Sequence, residues 1–269
     1  MAAGRAPPVI SVEAFEVPAR RGGLARLGRA PAAIADMHLS AFGGYSNGSY
    51  PIFNTEEPQT IAQAPEHGTQ QEAGLRYEIP SILTISSALY RVTRDNVFTL
   101  TTIPNPNGAG NIDLAQFFGY RVRGWETDIV VRPTVQWTIT SNLALQDPKI
   151  TRLPRTPNNV GHVVPSVPSV LANFWTTCDF LAAEPIGTLR ASFGMRYRNR
   201  EYADPGQTRL VPGAPLFDVC LEKVLGTYNF KVGLNNMFDH RNYAYASGTG
   251  GGAYPGTGRT AYARVSAKW

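Results

Sequence analysis

The chain has 269 residues, a net charge of +5 and 17% charged residues, against roughly 25% in ordinary soluble domains. Aromatics reach 10%, with 26 Gly and 21 Pro, a mix that suits many strands joined by turns and argues against a helical bundle. Arg and Lys are scattered, which argues against nucleic acid as a partner. No apolar run approaches the 18 or so residues of a membrane-spanning helix.

Residues 1–37 are rich in Arg, Ala and Pro and lack the apolar centre of a secretory signal. They read as a disordered or unrelated leader. From there on, about ten strands are predicted, near 38–46, 70–79, 82–101, 115–131, 135–146, 168–180, 187–199, 215–225, 227–236 and 259–269, most of them at or above the roughly 9–11 residues of a membrane-spanning strand.

The first strands segregate their faces. In "QQEAGLRYEI", Ala73, Leu75, Tyr77 and Ile79 share one side while Glu72, Arg76 and Glu78 take the other. In "GYRVRGWETDIVV", Tyr120 and Val122 lie on one parity and Trp125, Thr127, Ile129 and Val131 on the other. A bulge at Gly124 would absorb that slip and keep both sets outward. "VQWTITSNLAL" sets Val135, Trp137, Ile139, Leu143 and Leu145 against Gln136, Thr138, Thr140 and Asn142.

The later strands behave alike. In "LRASFGMRYR", Leu189, Ala191, Phe193, Met195 and Tyr197 oppose Arg190, Arg196 and Arg198. In "YNFKVGLN", Tyr228, Phe230, Val232 and Leu234 oppose Asn229, Lys231 and Asn235. The last strand alternates Ala261, Ala263, Val265, Ala267 and Trp269 with Thr260, Tyr262, Arg264, Ser266 and Lys268. A cation facing lipid at the midplane costs roughly 2–4 kcal/mol, and one facing a wet lumen costs little. A soluble antiparallel sheet with one face on a core alternates in the same way. Periodicity alone therefore leaves both readings open.

The connections favour the membrane. Gly/Pro/Asn-rich loops at 47–69, 102–114, 147–167, 200–214 and 237–258 alternate with short turns at 80–81, 132–134, 181–186 and Gly226. An up-and-down barrel has short turns at one rim and long loops at the other, whereas a β-sandwich has no reason to keep that rhythm. Cys178 and Cys220 have no metal-ligand spacing and read as unlinked thiols.

Several stretches resemble the C-terminal half of the barrel of TonB-dependent outer-membrane receptors, especially ferric-siderophore receptors. "PEHGTQQEAGLRYE" looks like a loop-to-strand segment of the family, with Gln71 where an aromatic is usual. "ALYRVTRDNV" and "GYRVRGWETDIVVRP" look like the next two strands. The 211–246 stretch carries the "PG…FD" strand start and the "N-x-FD-x-x-x-Y" pattern, here Asn236, Phe238, Asp239 and Tyr243. "YPGTGRTAYARVSAKW" is similar to the terminal strand, with Gly258 where a Pro before the Arg is common. In the family, the final aromatic is recognised by the barrel-assembly machinery, and Trp269 holds that place.

The resemblance implies an all-β fold: an antiparallel up-and-down transmembrane β-barrel, partial at about ten strands, with the plug domain absent and residues 38–269 as its C-terminal portion. It implies a receptor and transporter in the cell outer membrane that imports ferric siderophores, not an enzyme, and needs no cofactor. Its implied partners are a ferric siderophore, the TonB energising complex (whose contact motif has no counterpart here), the assembly machinery and outer-membrane lipid. With no match to the family's signal peptide or plug, and fewer strands than the family's roughly twenty-two, a truncated product is expected, inactive alone in the limiting case. The alternatives are a small passive or structural outer-membrane barrel and a soluble β-sandwich.

Site residues are sparse. No catalytic or metal constellation stands out among His38, His67, His162 and His240. "GTGGGAYPGTGR" lacks the end of a phosphate loop and reads as an exposed loop. Asp239 in "FDHRNY" reads as a turn cap. Tyr45, Tyr50, Phe53, Arg190, Tyr202 and Tyr254 hold positions from which the family contacts ligand, though girdle and loop packing explain each of them as well.

Overall fold

The structure is a computed structural model that describes residues 10–18, 37–50, 65–105, 108–183, 187–246 and 253–268. It holds fifteen strands: β1 Ile10–Pro18, β2 His38–Tyr50, β3 Glu66–Ile79, β4 Leu83–Pro104, β5 Asn111–Thr134, β6 Trp137–Arg152, β7 Val170–Ala183, β8 Gly187–Arg198, β9 Glu201–Tyr202, β10 Leu210–Val211, β11 Ala214–Leu225, β12 Tyr228–Asn235, β13 Tyr243–Ala246, β14 Ala253–Pro255 and β15 Thr260–Ala267. Eleven form one sheet in the order β1-β2-β3-β4-β5-β6-β7-β8-β11-β12-β15. All its pairings are antiparallel between neighbours in sequence once the two small hairpins, β9–β10 and β13–β14, are set aside as loop insertions. The sheet is a meander, and among the described residues it is not closed into a ring.

All ten strands expected from the sequence are present. The stretch expected to be a disordered or unrelated leader adds an eleventh, because β1 pairs with β2 from Ile10–Tyr45 to Pro18–His38. Its apolar residues fall at Ile10 and Val12 and then at Phe15 and Val17, and the register shifts between Val12 and Phe15. That slip breaks the alternation by which a strand is read from sequence.

The sheet has two chemically distinct faces. Residues opposite one another in a ladder share a face, and Leu75, Ser87, Thr127, Leu143, Ala172, Tyr197 and Pro215 form one row across seven strands. Another row runs Trp137, Cys178, Ala191, Leu221, Val232 and Ala263. On this face Leu75, Leu89, Leu221, Val232 and Val265 are each more than half exposed, and Phe230 is 44% exposed. An apolar surface of this extent in contact with solvent space marks a membrane or partner surface. Its few polar atoms bond one another: Trp125 Nε1 and Thr127 Oγ1 both donate to Ser87 Oγ at 2.7 and 2.9 Å, and Trp137 Nε1 donates to Thr176 Oγ1 at 2.8 Å.

The opposite face carries Glu72, Arg76, Glu126, Asp128, Arg190, Arg196, Arg198, Lys231 and Arg264. Lys223 is the cation that sits on the apolar face among the lower rows, opposite Leu189 and Phe230 and close to the turn at Gly226. There its long stem can lie along apolar surface while the ammonium reaches the headgroups. Among the described residues there is no dry sandwich interior: the buried apolar cluster of Ile150, Leu153 and Val164, with Phe118, Tyr120 and Val167 against it, lies where the ends of β5 and β6 meet the loop after β6.

The short connections, at residues 80–82, 135–136, 184–186 and 226–227, all fall at one end of the sheet. At Gly226 the backbone takes φ +55°, which a two-residue hairpin loop tolerates best in glycine. The described segments at 153–169 and 199–213 fall at the other end, where they carry the 157–159 turn and the β9–β10 hairpin, whereas Pro18 and His38, which bound the connection between β1 and β2, lie at the short-turn end. The loop expected at 102–114 shrinks to 105–110, because β4 and β5 run on for 22 and 24 residues. These lengths are about twice what a bilayer crossing needs, so this hairpin stands out beyond the membrane.

The bulge expected at Gly124 is not there. Pairing runs straight through it on both sides, Tyr90 to Gly124 and Gly124 to Gln146. Trp125 does face outward, but Tyr120 and Val122 face inward, where Val122 is buried and Tyr120 joins the loop cluster. The apolar parity switches because the strand leaves the bilayer near Gly124, and above that level the inner face is the one that is covered. A bulge occurs instead on the neighbouring strand, where register shifts between Arg94 and Val97 and Asn96 takes φ +57°.

Candidate ligand-facing surface

The inward face is built on β7, β8 and β11, where alternation places Arg190, Arg196 and Arg198 on one side of β8. Each arginine has a carboxylate partner from a different element. Arg190 donates from Nε and Nη2 to both oxygens of Asp179 on β7, at 2.6 and 3.0 Å. Arg196 Nη2 lies 3.0 Å from an oxygen of Asp218 on β11. Arg198 bonds Glu201 of the β9–β10 hairpin, and its Nη1 donates to the Ala244 carbonyl of β13 at 3.1 Å. Glu201 is 3% exposed, so this pair anchors both loop hairpins to the wall. Such a fork-to-carboxylate pairing fixes geometry as well as charge.

Between these groups lies a cavity of about 220 Å³ bordered by Asn173, Arg196, Arg198, Glu201 and Tyr243. Arg196 offers its guanidinium to this space with half of its side chain exposed. Further across the sheet, Tyr90 Oη donates to Gln146 Oε1 at 2.9 Å, and Gln146 Nε2 donates to the Pro168 carbonyl at 2.6 Å. The tyrosine ring lies across Gly124, where an added Cβ would come within 2.3 Å of it. Tyr262 covers Gly233 and Trp175 covers Gly194 in the same way, so inward-facing rings fill the glycine gaps of neighbouring strands.

The Asn236, Phe238, Asp239 and Tyr243 pattern forms a loop clasp. Asn236 is 3% exposed at φ +49° and its N–H donates to Asp218 Oδ1 at 2.9 Å. Its side chain accepts from the His240 N–H and donates to the His240 carbonyl, both at 2.9 Å. Asp239 Oδ1 accepts the Arg259 N–H at 2.8 Å, closing the base of the loop that carries β13 and β14. Phe238 meets Phe217 edge-to-face with centroids 5.3 Å apart. Tyr243 sits on β13 opposite Pro255.

Of the expected ligand-side positions whose side chains are described, Arg190 is the one on the inward face of the main sheet, and it is held by Asp179. Tyr45 faces outward, in register with Gln71. Tyr202 lies in the β9–β10 hairpin and its carbonyl accepts the Ser166 N–H at 2.8 Å. Tyr254 is exposed on β14. Phe53, Trp269 and the side chain of Tyr50 lie outside the described residues. The free thiols Cys178 and Cys220 point to opposite faces of strands separated by β8. Among the described residues no three His, Cys, Asp or Glu groups gather as metal ligands. Sequence reasoning did not single out Arg196, Asp218, Arg198 and Glu201 as a group; the alternation carried Arg196 and Arg198, but nothing in it named partners from other elements.

The family described as "TonB dependent receptor-like, beta-barrel" matches residues 19–237. The chain belongs to this family. The chain is 25% identical over 196 residues to the probable TonB-dependent siderophore receptor PiuA of Acinetobacter baumannii, a match covering 68% of this chain and 25% of that protein. The crystal structure of PiuA superposes with TM-score 0.69 at 21% identity, covering 84% of this chain and 33% of the other. BauA, the ferric preacinetobactin receptor of the same organism, gives TM-score 0.64 at 22% identity over 84% of this chain and 34% of its own. The unliganded ferric citrate transporter FecA gives TM-score 0.65 at 20% identity over 87% and 36%. The chain thus spans a quarter to about a third of these relatives. Its sheet is outer-membrane barrel wall: the apolar face meets lipid and the charged face meets the lumen.

Proposed function

We propose that this chain is the C-terminal portion of the barrel of a receptor that imports ferric siderophores across the outer membrane, driven through TonB. The observation that carries this reading is the two-faced meander itself, apolar outside and charged inside, in a chain of this family. The named relatives support the cargo, since they are described as siderophore, ferric preacinetobactin and ferric citrate proteins. Arg196 and the exposed rings of the loop rim suit an anionic iron chelate, because a guanidinium with free donors offers charge-assisted hydrogen bonds to carboxylate or catecholate oxygen.

The test is uptake of radioactive iron. Iron-starved cells that make this chain, and lack other ferric-chelate receptors, are offered catecholate, hydroxamate and citrate chelates with and without functional TonB. Accumulation of at least one chelate only when TonB is present is expected. Failure of every chelate to bind, while the chain shows the boiling-dependent gel shift of a folded barrel, overturns the import reading. Uptake that ignores TonB supports a passive barrel instead.

A further inference from the structure

The apolar outward face ends abruptly in a row of cations. Counting about 9–11 residues up from each short turn, the span of a tilted membrane strand, reaches Arg91 on β4, Trp125 on β5 and Asp147 on β6. The row Leu89–Trp125 is the last apolar one there. Directly above it, on the same face, Arg91 pairs across to Arg123 and Arg123 to Asp147. One row higher Arg121 stands opposite Thr93 and Lys149. Two adjacent rows thus hold Arg91, Arg121, Arg123 and Lys149. The acid on them is Asp147, which lies 3.7 Å from Lys149, and Asp95 follows one row above, over Gly119.

Arg121 is short of one partner within the fold, at an atom that side-chain rearrangement must uncover before a headgroup can meet it. Its Nε is buried and has no hydrogen-bond partner among the described residues. A guanidinium nitrogen left without an acceptor away from water is costly. Arg91 and Arg123 are exposed. None of the three points into the lumen, so they cannot serve a cargo passing through it.

We infer that Arg91, Arg121 and Arg123 form a docking patch for the phosphate headgroup of an outer-leaflet lipid, whose acyl chains lie against Leu89, Trp125 and Leu145 below. The occupant is fixed by continuity: the patch touches the lipid-facing band without a gap, and its charge is complementary to phosphate. Guanidinium forks suit phosphate oxygens geometrically, and Trp125 on the boundary row is the aromatic expected at a membrane interface. The inference needs the membrane placement of the sheet but not its cargo.

The experiment places the chain in phosphatidylcholine bilayers and measures quenching of Trp125 by brominated phosphatidylglycerol against brominated phosphatidylcholine, with the signal assigned to Trp125 by the Trp125→Phe variant. Preferential quenching by the anionic lipid is expected, by at least about fivefold, which is what one basic residue near an anionic surface supplies. The triple variant Arg91→Gln, Arg121→Gln, Arg123→Gln should bring the ratio to near one. The corresponding triple Lys variant should retain most of the preference, which separates lost charge from lost fold. Arg264→Gln, in the lumen, should leave it unchanged. Equal quenching by both lipids in the parent, or a preference that survives in the triple Gln variant, overturns the patch. Loss of the preference on adding millimolar inorganic phosphate at constant ionic strength shows a free-anion site and overturns the lipid assignment. A lost preference in a chain that still shifts on boiling leaves the barrel reading intact.

Discussion

At Gly124 and Asn236 two residues carry much of the local order. The Tyr90 ring occupies the space a Cβ at Gly124 would need, and its hydroxyl is bound to Gln146. Gly124→Ala should therefore destabilise the fold by about 1–3 kcal/mol through overpacking, read as a lower unfolding temperature in the gel shift. Adding Tyr90→Ala should recover part of the loss. Asn236 is buried with three directed hydrogen bonds and a left-handed backbone. Asn236→Ala keeps the backbone bond to Asp218 but leaves the His240 N–H and carbonyl without their side-chain partner; it should cost about 1–3 kcal/mol and should open the 236–259 loop to limited proteolysis. The Arg190–Asp179 pair is different, because Arg190 remains 39% exposed. Screening by water holds such pairs to about 1 kcal/mol or less, so Arg190→Gln should leave folding nearly unchanged. Any larger effect should appear in chelate binding.

At the scale of the strand, each element is specified by alternation against two solvents. Val232 lies on the lipid face of β12 and Ser266 on the lumenal face of β15. Val232→Arg should lower the folded fraction in membranes by roughly 2–4 kcal/mol, and Ser266→Arg should change it little. Equal damage from the two would mean that both faces meet the same medium. Alternation made ten of the strands legible because parity is a property of adjacent residues. It failed for β1, where the phase slips between Val12 and Phe15. It also misled at Gly124, since a change of parity can mean a bulge or a change of surroundings, and local sequence does not distinguish them. The small hairpins β9–β10 and β13–β14 were read as plain loops because pieces of two to four residues are too short to show a period.

For the whole molecule, the question is the edge. In the described sheet β1 and β15 stand at the two ends. In hydrocarbon every unpaired N–H or C=O costs several kcal/mol, so the membrane-bound state requires these rows to be paired, with each other or with further strands. Amide exchange should then be as slow in β15 as in its neighbour β12. Fast exchange confined to β15 would mean an open edge.

The family pattern was legible too, as residues, but its work was not. From sequence Asp239 read as a turn cap, and only the fold brought it onto the Arg259 N–H and set Asn236 beneath it. What the sequence determined by itself is the outward face of the regularly alternating strands, the number of strands in the main sheet to within one, and the short turns that join its hairpins, since all three depend on neighbours along the chain. The tertiary structure alone decided that Tyr90 covers Gly124, that Arg198 ties two hairpins through Glu201, and that Arg91, Arg121 and Arg123 converge above the apolar band. Those contacts join residues on different strands, and their register is set by the whole ladder at once.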